Sequence, residues 1–271
     1  MEVLCAGQEA FFTITYLKIL IQIIETIMKP ALYLIPTTLG ETSVERVLPA
    51  YNKEVVLGIK HFIVEEIRTA RRFLKLVEKS INIDELHFYP MGKHADAALF
   101  SSYLAPLRSG EAVGVISEAG CPAVADPGAD IVAIAQREGL TVIPLVGPSS
   151  ILLAVMGSGF NGQSFAFHGY LPIDATQRAK RLKQLEQRSL HEDQTQLFIE
   201  TPYRNAKLFA DIMSACSPQT RLCVAAGITT EFEFIRSMSL KEWKTKGLPD
   251  LGKIPAIFAI YAQSGPKAPK R

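Results

Sequence analysis

The sequence lacks the marks of several protein classes. Its four cysteines are far apart with no CxxC pair, so neither a zinc site nor a disulfide framework is indicated, and a reducing, cytoplasmic setting is expected. The formal net charge is +2, which provides no overall field to attract nucleic acid. Neither GxGxxG nor a GxxxxGKS/T run occurs, so the usual dinucleotide-binding and P-loop fingerprints are missing. A ligand that carries no phosphate fits such a chain better.

The first 27 residues contain an apolar run that matches neither a membrane span nor a signal peptide. Lys18 interrupts the run over 11–27, which is shorter than the roughly 20 apolar residues that a spanning helix needs. Glu2 and Glu9 stand where a signal peptide would carry basic residues. We therefore expect residues 1–27 to be an extension outside the fold.

Beyond residue 28, short apolar runs alternate with stretches of helical period, which predicts an α/β fold with sheets covered by helices. A turn rich in proline and glycine at 144–150 divides the pattern into two α/β lobes, 28–147 and 148–263, followed by a flexible basic tail at 264–271. The predicted strands are 32–36, 55–59, 86–88, 112–117, 141–144, 164–168, 196–200, 221–226, 231–237 and 256–261. The predicted helices are 65–77, 94–107, 129–138, 149–156, 175–187, 203–215 and 240–245.

The most informative segment is the loop SEAGCPAVADPG at 117–128, which follows an apolar strand. Small residues after a strand allow a ligand to approach the backbone, and open α/β sheets bind ligands at the carboxyl ends of their strands. A purely structural interpretation makes Asp126 the N-cap and Pro127 the first residue of the next helix. Both interpretations fit the spacing.

Seven ordered blocks resemble the tetrapyrrole-methylase-like (class III) methyltransferases, and among them the branch of ribosomal RNA small-subunit methyltransferase I. The blocks are LYLIPTTLG (32–40), VEEIR (64–68), SEAGCPAVADPG (117–128), VGPSS (146–150), HGYLP (168–172), ETPYR (200–204) and GITTEFE (227–233). The branch has Asp and Thr where this chain has Glu118 and Cys121.

The resemblance implies S-adenosylmethionine bound in a cleft between the two lobes, without a metal. The cofactor-binding residues that it implies are Pro36, Ser117, Glu118, Ala119, Gly120, Pro122, Asp126, Ser149, Ser150, Pro202, Tyr203, Ala226 and Gly227. It also implies a homodimer and, as methyl acceptor, a ribose 2′-hydroxyl of ribosomal RNA.

A ribose hydroxyl is a weak nucleophile that benefits from an acceptor for its proton. Glu66 is the candidate for that role, and Arg68 and Arg204 are candidates for orienting phosphate or substrate oxygens. A structural interpretation places Glu66 and Arg68 in a solvated first helical turn. Basic residues that could contact phosphates are Arg68, Arg71, Arg72 and Lys75, then Arg178, Lys180, Arg181, Lys183 and Arg188, and then Lys267, Lys270 and Arg271 in the tail.

Two other functions stay open on the sequence. The same fold could methylate a small, tetrapyrrole-like acceptor, or the chain could be a non-catalytic module that binds RNA or the ribosome.

Overall fold

The computed structural model describes residues 28–92 and 95–263, which form two compact units. The first unit comprises the described residues of 28–35, 50–118 and 126–145. The second comprises 36–49, 119–125 and 146–263. The predictions for residues 1–27 and for the basic tail lie outside the described residues. Within the described part, no helix has the length and apolar character to span a membrane.

The first unit is built on a five-stranded sheet in which every pair of neighbours is parallel. Its strands are β1 (Leu32–Leu34), β2 (His61–Val64), β3 (His87–Pro90), β4 (Val113–Ile116) and β5 (Val142–Pro144), in the order β3-β2-β4-β1-β5. Leu32, Ile63 and Val115 are fully buried in its core. All four residues of β4 are buried, as expected for a strand covered on both faces.

Helices α1 (Val44–Val47), α2 (Ala50–Gly58), α3 (Ile67–Val77), α4 (Ala105–Arg108) and α5 (Ala129–Arg137) lie between these strands in the chain. Of these, α1 belongs to the second unit. Single 3-10 turns occupy Ile83–Glu85, Ala97–Leu99 and Ser102–Leu104.

The strand predicted at 55–59 is wrong. These residues end α2 and the turn after it, and the strand is the next apolar run, His61–Val64. Asn52, Val55 and Val56 are the buried residues of α2, so the burial follows the three- and four-residue spacing of a helix. The two β-branched valines favoured a strand locally, but packing of one helical face decided the structure.

The helix predicted at 94–107 is also wrong over the residues that the structure describes. Two 3-10 turns and the four-residue α4 replace it, with Pro106 in the first turn of α4. Proline has no N–H to donate and clashes with the preceding helical turn, so it starts a helix here instead of continuing one.

The second unit contains a mixed five-stranded sheet in the order β6-β7-β10-β8-β9. β6 and β7 are parallel, and the other neighbours are antiparallel. The strands are β6 (Phe165–Tyr170), β7 (Thr195–Glu200), β8 (Arg221–Ala226), β9 (Phe234–Ser239) and β10 (Ala256–Tyr261), and the helices are α6 (Ser150–Ser158), α7 (Ala175–Glu192), α8 (Asn205–Ala215) and α9 (Leu240–Lys246). The predicted α/β fold class, with a sheet and helices in each half of the chain, is therefore confirmed.

Both faces of the second sheet are covered. On β10, Phe258 and Ile260 pack in one core cluster and Ile257 and Ala259 in another, so the two-residue period of a strand divides its side chains between two cores. Trp243 is fully buried in the first of these clusters. A central strand covered on both sides explains why all six residues of β10 are buried.

We predict that Trp243→Phe lowers the free energy of unfolding by about 1–3 kcal/mol, because it removes a buried donor and part of a packed ring. The Trp243 Nε1–H donates to the Leu222 carbonyl oxygen at 2.9 Å, and the indole meets the Phe209 ring edge-on at 5.5 Å. Urea unfolding followed by circular dichroism measures the change. Tyr51→Phe, at a residue 56% exposed, is the control and should shift the value by less than about 0.5 kcal/mol. Equal effects of the two variants would contradict the prediction.

Candidate functional site

Three carboxylates meet at the carboxyl ends of β2 and β4 in the first unit. Glu65 directly follows β2, and Glu118 lies two residues after β4. The backbone N–H of Glu118 donates to Glu65 Oε2 at 3.2 Å, and the Thr69 hydroxyl donates to the Glu118 carboxylate. Asp126 is close enough to influence the ionisation of Glu65. The start of the 117–128 loop is therefore fixed to the start of α3.

Burial raises the pKa of Glu65 above its ordinary value, and the nearby Asp126 and Glu118 carboxylates raise it further against the hydrogen bond from the Glu118 N–H. Burial likewise raises the pKa of Asp126, with Glu118 adding to the effect. The Ser117 side chain adjoins Asp126 and partly offsets these effects. Glu65 and Asp126 thus hold protons more readily than isolated carboxylates do.

Glu66 and Arg68, two predicted catalytic residues, lie beside this cluster and are exposed. Glu66 is the N-cap of α3, and its carboxylate accepts a hydrogen bond from the Arg68 backbone N–H at 3.3 Å. The structural interpretation of Glu66 as a helix-start residue is correct. The exposed carboxylate can still accept a proton or further hydrogen bonds, because a carboxylate can accept several hydrogen bonds.

Glu65 is a residue of this site that the sequence reasoning missed. The missing signal was β2, because a strand ending at Val64 makes Glu65 the first residue beyond its carboxyl end, where open α/β sheets place functional groups. With the strand predicted at 55–59, Glu65 appeared to be an ordinary residue of the following helix.

The 117–128 loop has an unusual backbone. Ala123 and Ala125 have φ of 65° and 63°, in the left-handed region, which costs a non-glycine residue about 1–2 kcal/mol. Gly128, with φ of 124°, is the N-cap of α5, so the interpretation of Asp126 as that cap is wrong. Backbone strain of this kind collects at functional loops, where surrounding contacts maintain it.

In the second unit, the loops that follow β1, β4 and β5 pack closely together. The Thr37 N–H donates to the Gly120 carbonyl at 2.9 Å, and Cys121 Sγ lies 3.5 Å from the Pro148 carbonyl oxygen. A Cβ atom on Gly120 would lie 3.2 Å from that same oxygen, and one on Gly147 would overlap the Pro36 ring. We call this arrangement the three-loop cluster, comprising residues 36–40, 119–122 and 146–149.

The three-loop cluster contains five of the predicted cofactor residues, and a sixth, Ser150, directly follows it. The five are Pro36, Ala119, Gly120, Pro122 and Ser149. Ser149 is the N-cap of α6, and its hydroxyl accepts from the Leu152 N–H at 3.5 Å. A cleft of about 500 Å³ opens beside the cluster. It is lined by Glu45, Arg46, Val47, Leu48, Pro49, Val146, Gly147, Pro148, Leu153 and Thr229. Clefts of this size hold small organic ligands.

Two hydroxyls near the cleft are buried without a hydrogen-bond partner among the described residues. They are Thr37 Oγ1, in the three-loop cluster, and Thr229 Oγ1, on the cleft wall. Leaving a buried hydroxyl unpaired costs about 1–3 kcal/mol, so such groups call for an explanation such as a ligand.

Four further predicted cofactor residues lie at one end of the second sheet. Ala226 ends β8 and Gly227 follows it with φ of 58°, while Pro202 and Tyr203 form a 3-10 turn after β7. The remaining three, Ser117, Glu118 and Asp126, belong to the first unit.

Arg204, the third predicted catalytic residue, is held by its own unit. Its Nη2 lies 2.7 Å from Glu200 Oε1, and its Nε donates to Thr201 Oγ1 at 3.0 Å. Glu200 is almost fully buried, so this ion pair neutralises a carboxylate in the protein interior. Arg204 therefore shapes the turn that carries Pro202 and Tyr203.

The second predicted basic cluster needs one correction. Arg178 is buried, pairs with Asp211 at 2.6 Å and donates to the Pro172 carbonyl, so it closes the start of α7 and does not face a phosphate. Lys180 and Lys183 are exposed on the same helix. Within residues 28–92 and 95–263, no group of histidine, cysteine and carboxylate side chains is arranged to hold a metal.

Comparison with protein-family models gives no match. Curated relatives carrying the name ribosomal RNA small subunit methyltransferase I do align with this chain. The protein of Vibrio cholerae is 28% identical over 79% of this chain and 70% of its own length. That of Pseudomonas aeruginosa is 34% identical over 52% of this chain and 48% of its own length. The predicted resemblance is therefore confirmed.

Solved structures confirm the fold. The methyltransferase CobJ superposes with a TM-score of 0.56 at 13% identity, covering 85% of this chain and 93% of that protein. Uroporphyrin-III C-methyltransferase from Thermus thermophilus, solved with S-adenosyl homocysteine, gives a TM-score of 0.51 at 16% identity, covering 85% of this chain and 97% of that one. At these identities the likeness establishes the architecture.

We predict that Asp126→Asn reduces the dependence of stability on pH. Because the raised pKa values of Asp126 and Glu65 mean that the folded protein binds these protons more tightly than the unfolded chain, their contribution to stability is complete at low pH and is lost as pH rises above about 4. The difference in unfolding free energy between Asp126→Asn and wild type should therefore grow in favour of the variant over that range.

Urea titrations at several pH values measure this difference. Glu54→Gln, an exposed carboxylate on α2 outside the cluster, is the control and should follow wild type. If the Asp126→Asn and wild-type curves run parallel, the assignment of a strained carboxylate cluster is wrong.

Proposed function

We propose that this chain, a homologue of the ribosomal RNA small subunit methyltransferase I proteins, is an S-adenosylmethionine-dependent methyltransferase that methylates a ribose 2′-hydroxyl of ribosomal RNA. The observation that carries the proposal is the three-loop cluster, in which the loops pack so closely that a Cβ atom at 147 would overlap the Pro36 ring and one at 120 would crowd Leu39 and the Pro148 carbonyl oxygen. A cytoplasmic setting, expected from the cysteine pattern, and a homodimer, implied by the family resemblance, are part of the same proposal.

The residues present fit the cofactor. The cleft beside the three-loop cluster is mainly apolar, which suits an adenine ring, and the unpaired hydroxyls of Thr37 and Thr229 supply polar groups for a ribose or an amino acid end. The hydroxyls of Ser149 and Ser150 and the backbone of residues 119–122 would hold the rest of the molecule. Ser117, Glu118, Asp126, Pro202, Tyr203, Ala226 and Gly227 complete the proposed set.

When bound, S-adenosylmethionine supplies a methyl group already activated on a cationic sulfur. The protein therefore has to bind and orient, because alignment of the acceptor is the main remaining requirement. The Thr69 hydroxyl donates to the Glu118 carboxylate and the Glu118 N–H donates to the Glu65 carboxylate, so the start of the 117–128 loop is fixed before any ligand arrives. A preformed loop avoids the entropic cost of ordering it on binding.

Glu66 is the proposed proton acceptor, and Glu65 is the proposed positioning residue. Both follow β2, but the Glu65 carboxylate accepts from the Glu118 N–H and is half-buried, whereas the Glu66 carboxylate is exposed. Arg68, also exposed, would orient a phosphate, and Arg204 would act through the turn that it holds. Exposed Arg72, Lys180 and Lys183 would add salt-dependent phosphate contacts.

We predict that Gly120→Ala abolishes or strongly weakens binding of S-adenosylmethionine, because the new Cβ would press on the Pro148 carbonyl at 3.2 Å and on Leu39 at 3.0 Å. Gly139→Ala is a matched control. Its φ of 69° is close to the 72° of Gly120, but nothing lies within 4 Å of its Cβ position. Both variants carry the same backbone strain, and only the first should lose the cofactor.

Calorimetric titration with S-adenosylmethionine and S-adenosylhomocysteine, with dATP as a control for generic adenine binding, measures the affinities. Equal losses in the two glycine variants would remove the three-loop cluster from the cofactor site. If wild type does not bind these two ligands selectively, the methyltransferase proposal is contradicted. RNA binding without methyl transfer would then favour a non-catalytic module.

We predict that Glu66→Gln slows methyl transfer to ribosomal RNA by about a hundredfold or more while cofactor affinity stays unchanged, as removal of a proton acceptor does. Glu65→Ala should instead weaken cofactor binding, because it removes the side chain that accepts from the Glu118 N–H. Single-turnover transfer of a labelled methyl group, together with calorimetry, separates the two effects. A wild-type rate for Glu66→Gln would show that Glu66 is not the proton acceptor. Methyl transfer to a small tetrapyrrole but not to RNA would show that the methyl acceptor is the small molecule.

A further inference from the structure

Three large aromatic side chains are exposed at one end of the second sheet. Tyr170 at the end of β6, Tyr203 just after β7 and Phe232 between β8 and β9 are 61%, 78% and 69% exposed. The register places all three at the same end, because Tyr170 lies opposite Ile199, and Glu200, Ala226 and Phe234 lie in the neighbouring row across β10. In the order β6-β7-β10-β8-β9, Tyr170 and the β8–β9 loop are three strand spacings apart, about 14 Å, so the rings form a row across the sheet end. We call Tyr170, Tyr203 and Phe232 the aromatic edge, meaning this end of the sheet.

Tyr170 is directed outward by an irregularity in its strand. The pairing of β6 with β7 shifts register between Phe167 and Tyr170, and Gly169 within this stretch has φ of 62°. A bulge of this kind bends a strand and redirects its next side chain. Substitution by any other residue would strain the backbone at Gly169, so a glycine is needed to present Tyr170 in this way.

Phe232 is carried by a tightly bonded loop. Thr230 donates from its N–H and its hydroxyl to the Gly227 carbonyl at 3.0 and 2.6 Å, and accepts from the Phe232 N–H at 3.2 Å. The Thr229 N–H donates to Glu233 Oε2 at 2.8 Å. Exposure of the phenyl ring is therefore a fixed feature of this loop and not a consequence of a loose chain.

Tyr203 is fixed by its neighbour. Arg204, which is paired with the buried Glu200, also lies over the Tyr203 ring at 5.7 Å from the guanidinium carbon to the ring centroid. This contact covers part of one ring face and leaves the side chain 78% exposed. Two of the three aromatic positions thus depend on polar networks that hold their backbone.

The charges at this edge argue against a site for phosphates. Glu231 and Glu233 flank Phe232, and the charge of Arg204 is neutralised by Glu200. What the edge offers a nucleic acid is π-faces, which stack on bases whatever their sequence. Only unpaired bases have free faces, and proteins that read RNA with aromatic side chains bind single-stranded segments for that reason.

We propose that the aromatic edge stacks unpaired bases of the RNA substrate, so that the enzyme selects a single-stranded segment and holds it beside Pro202, Ala226 and Gly227. The inference rests on the proposed function and names its substrate class as unpaired RNA. Phosphates would then be bound by basic residues elsewhere, such as Lys180 and Lys183 on α7, the helix that begins shortly after Tyr170.

The test is fluorescence anisotropy of the full chain, without cofactor, with a labelled single-stranded RNA oligonucleotide and with the same strand in a perfect duplex. Wild type should prefer the single strand. Tyr170→Ala and Phe232→Ala should each weaken single-strand binding about tenfold, in line with the loss of one stacked base, with little effect on the salt dependence. Tyr170→Phe and Phe232→Tyr, which retain a ring, should bind within about twofold of wild type.

Tyr51→Ala is the matched control, because Tyr51 is 56% exposed on α2 in the first unit, away from the second sheet. Wild-type affinity in Tyr170→Ala and Phe232→Ala, or an equal loss in Tyr51→Ala, would overturn the proposal. Loss of self-association in the edge variants with unchanged RNA binding would also overturn it, in favour of a protein interface.

Calorimetry with S-adenosylmethionine and methyl-transfer assays on the same preparations keep the two proposals distinct. If the protein transfers a methyl group to RNA and the edge variants bind RNA as wild type does, only the stacking proposal is contradicted. The protein could instead bind single-stranded RNA through the aromatic edge but neither bind the cofactor nor transfer a methyl group. That result would contradict the methyltransferase proposal and support the stacking proposal.

Discussion

Close backbone approach in the three-loop cluster is the constraint on which the second unit's candidate site depends. Three loops that each follow a strand of the first sheet come together at Pro36, Gly120 and Gly147, with the Thr37 N–H bonded to the Gly120 carbonyl. Side chains at these glycines would force the loops apart. The cleft, the cap of α6 at Ser149 and the unpaired hydroxyl of Thr37 all depend on this packing. Backbone atoms, which no substitution alters chemically, make up much of such a site.

The carboxylate cluster in the first unit shows a compromise between stability and preorganisation. Burial and the neighbouring carboxylates raise the free energy of the charged forms of Glu65 and Asp126, as their raised pKa values record. The left-handed alanines of the same loop add backbone strain. Hydrogen bonds to Thr69 and to the Glu65 carboxylate hold the start of this loop in place despite these two unfavourable contributions. Proteins accept such costs where a loop must be in place before its ligand binds.

The second unit uses its two sheet faces for packing and one of its ends for solvent-exposed aromatic groups. Its core places alternate residues of β10 on opposite faces, which leaves the strand ends and the loops beyond them free to vary. Gly169, the Gly227–Glu233 loop and the Arg204–Glu200 pair are three separate devices that present exposed rings there. A stable core and a rigid sheet end thus come from the same mixed sheet.

By itself, the sequence determined the α/β class, most of the strands and helices, and the seven blocks that carry the family resemblance, because hydrophobic period and turn residues are local properties. It also located the loops that form the three-loop cluster. Local pattern misassigned 55–59 and 94–107, where helical packing and Pro106 prevailed, and so concealed β2 and the role of Glu65. Only the tertiary structure decided that Arg178 pairs with Asp211 and that Gly120 contacts Pro148. It also decided that Tyr170, Tyr203 and Phe232 lie at the same end of the second sheet. These depend on strand order and register, which bring together residues far apart in the chain and leave no local trace in the sequence.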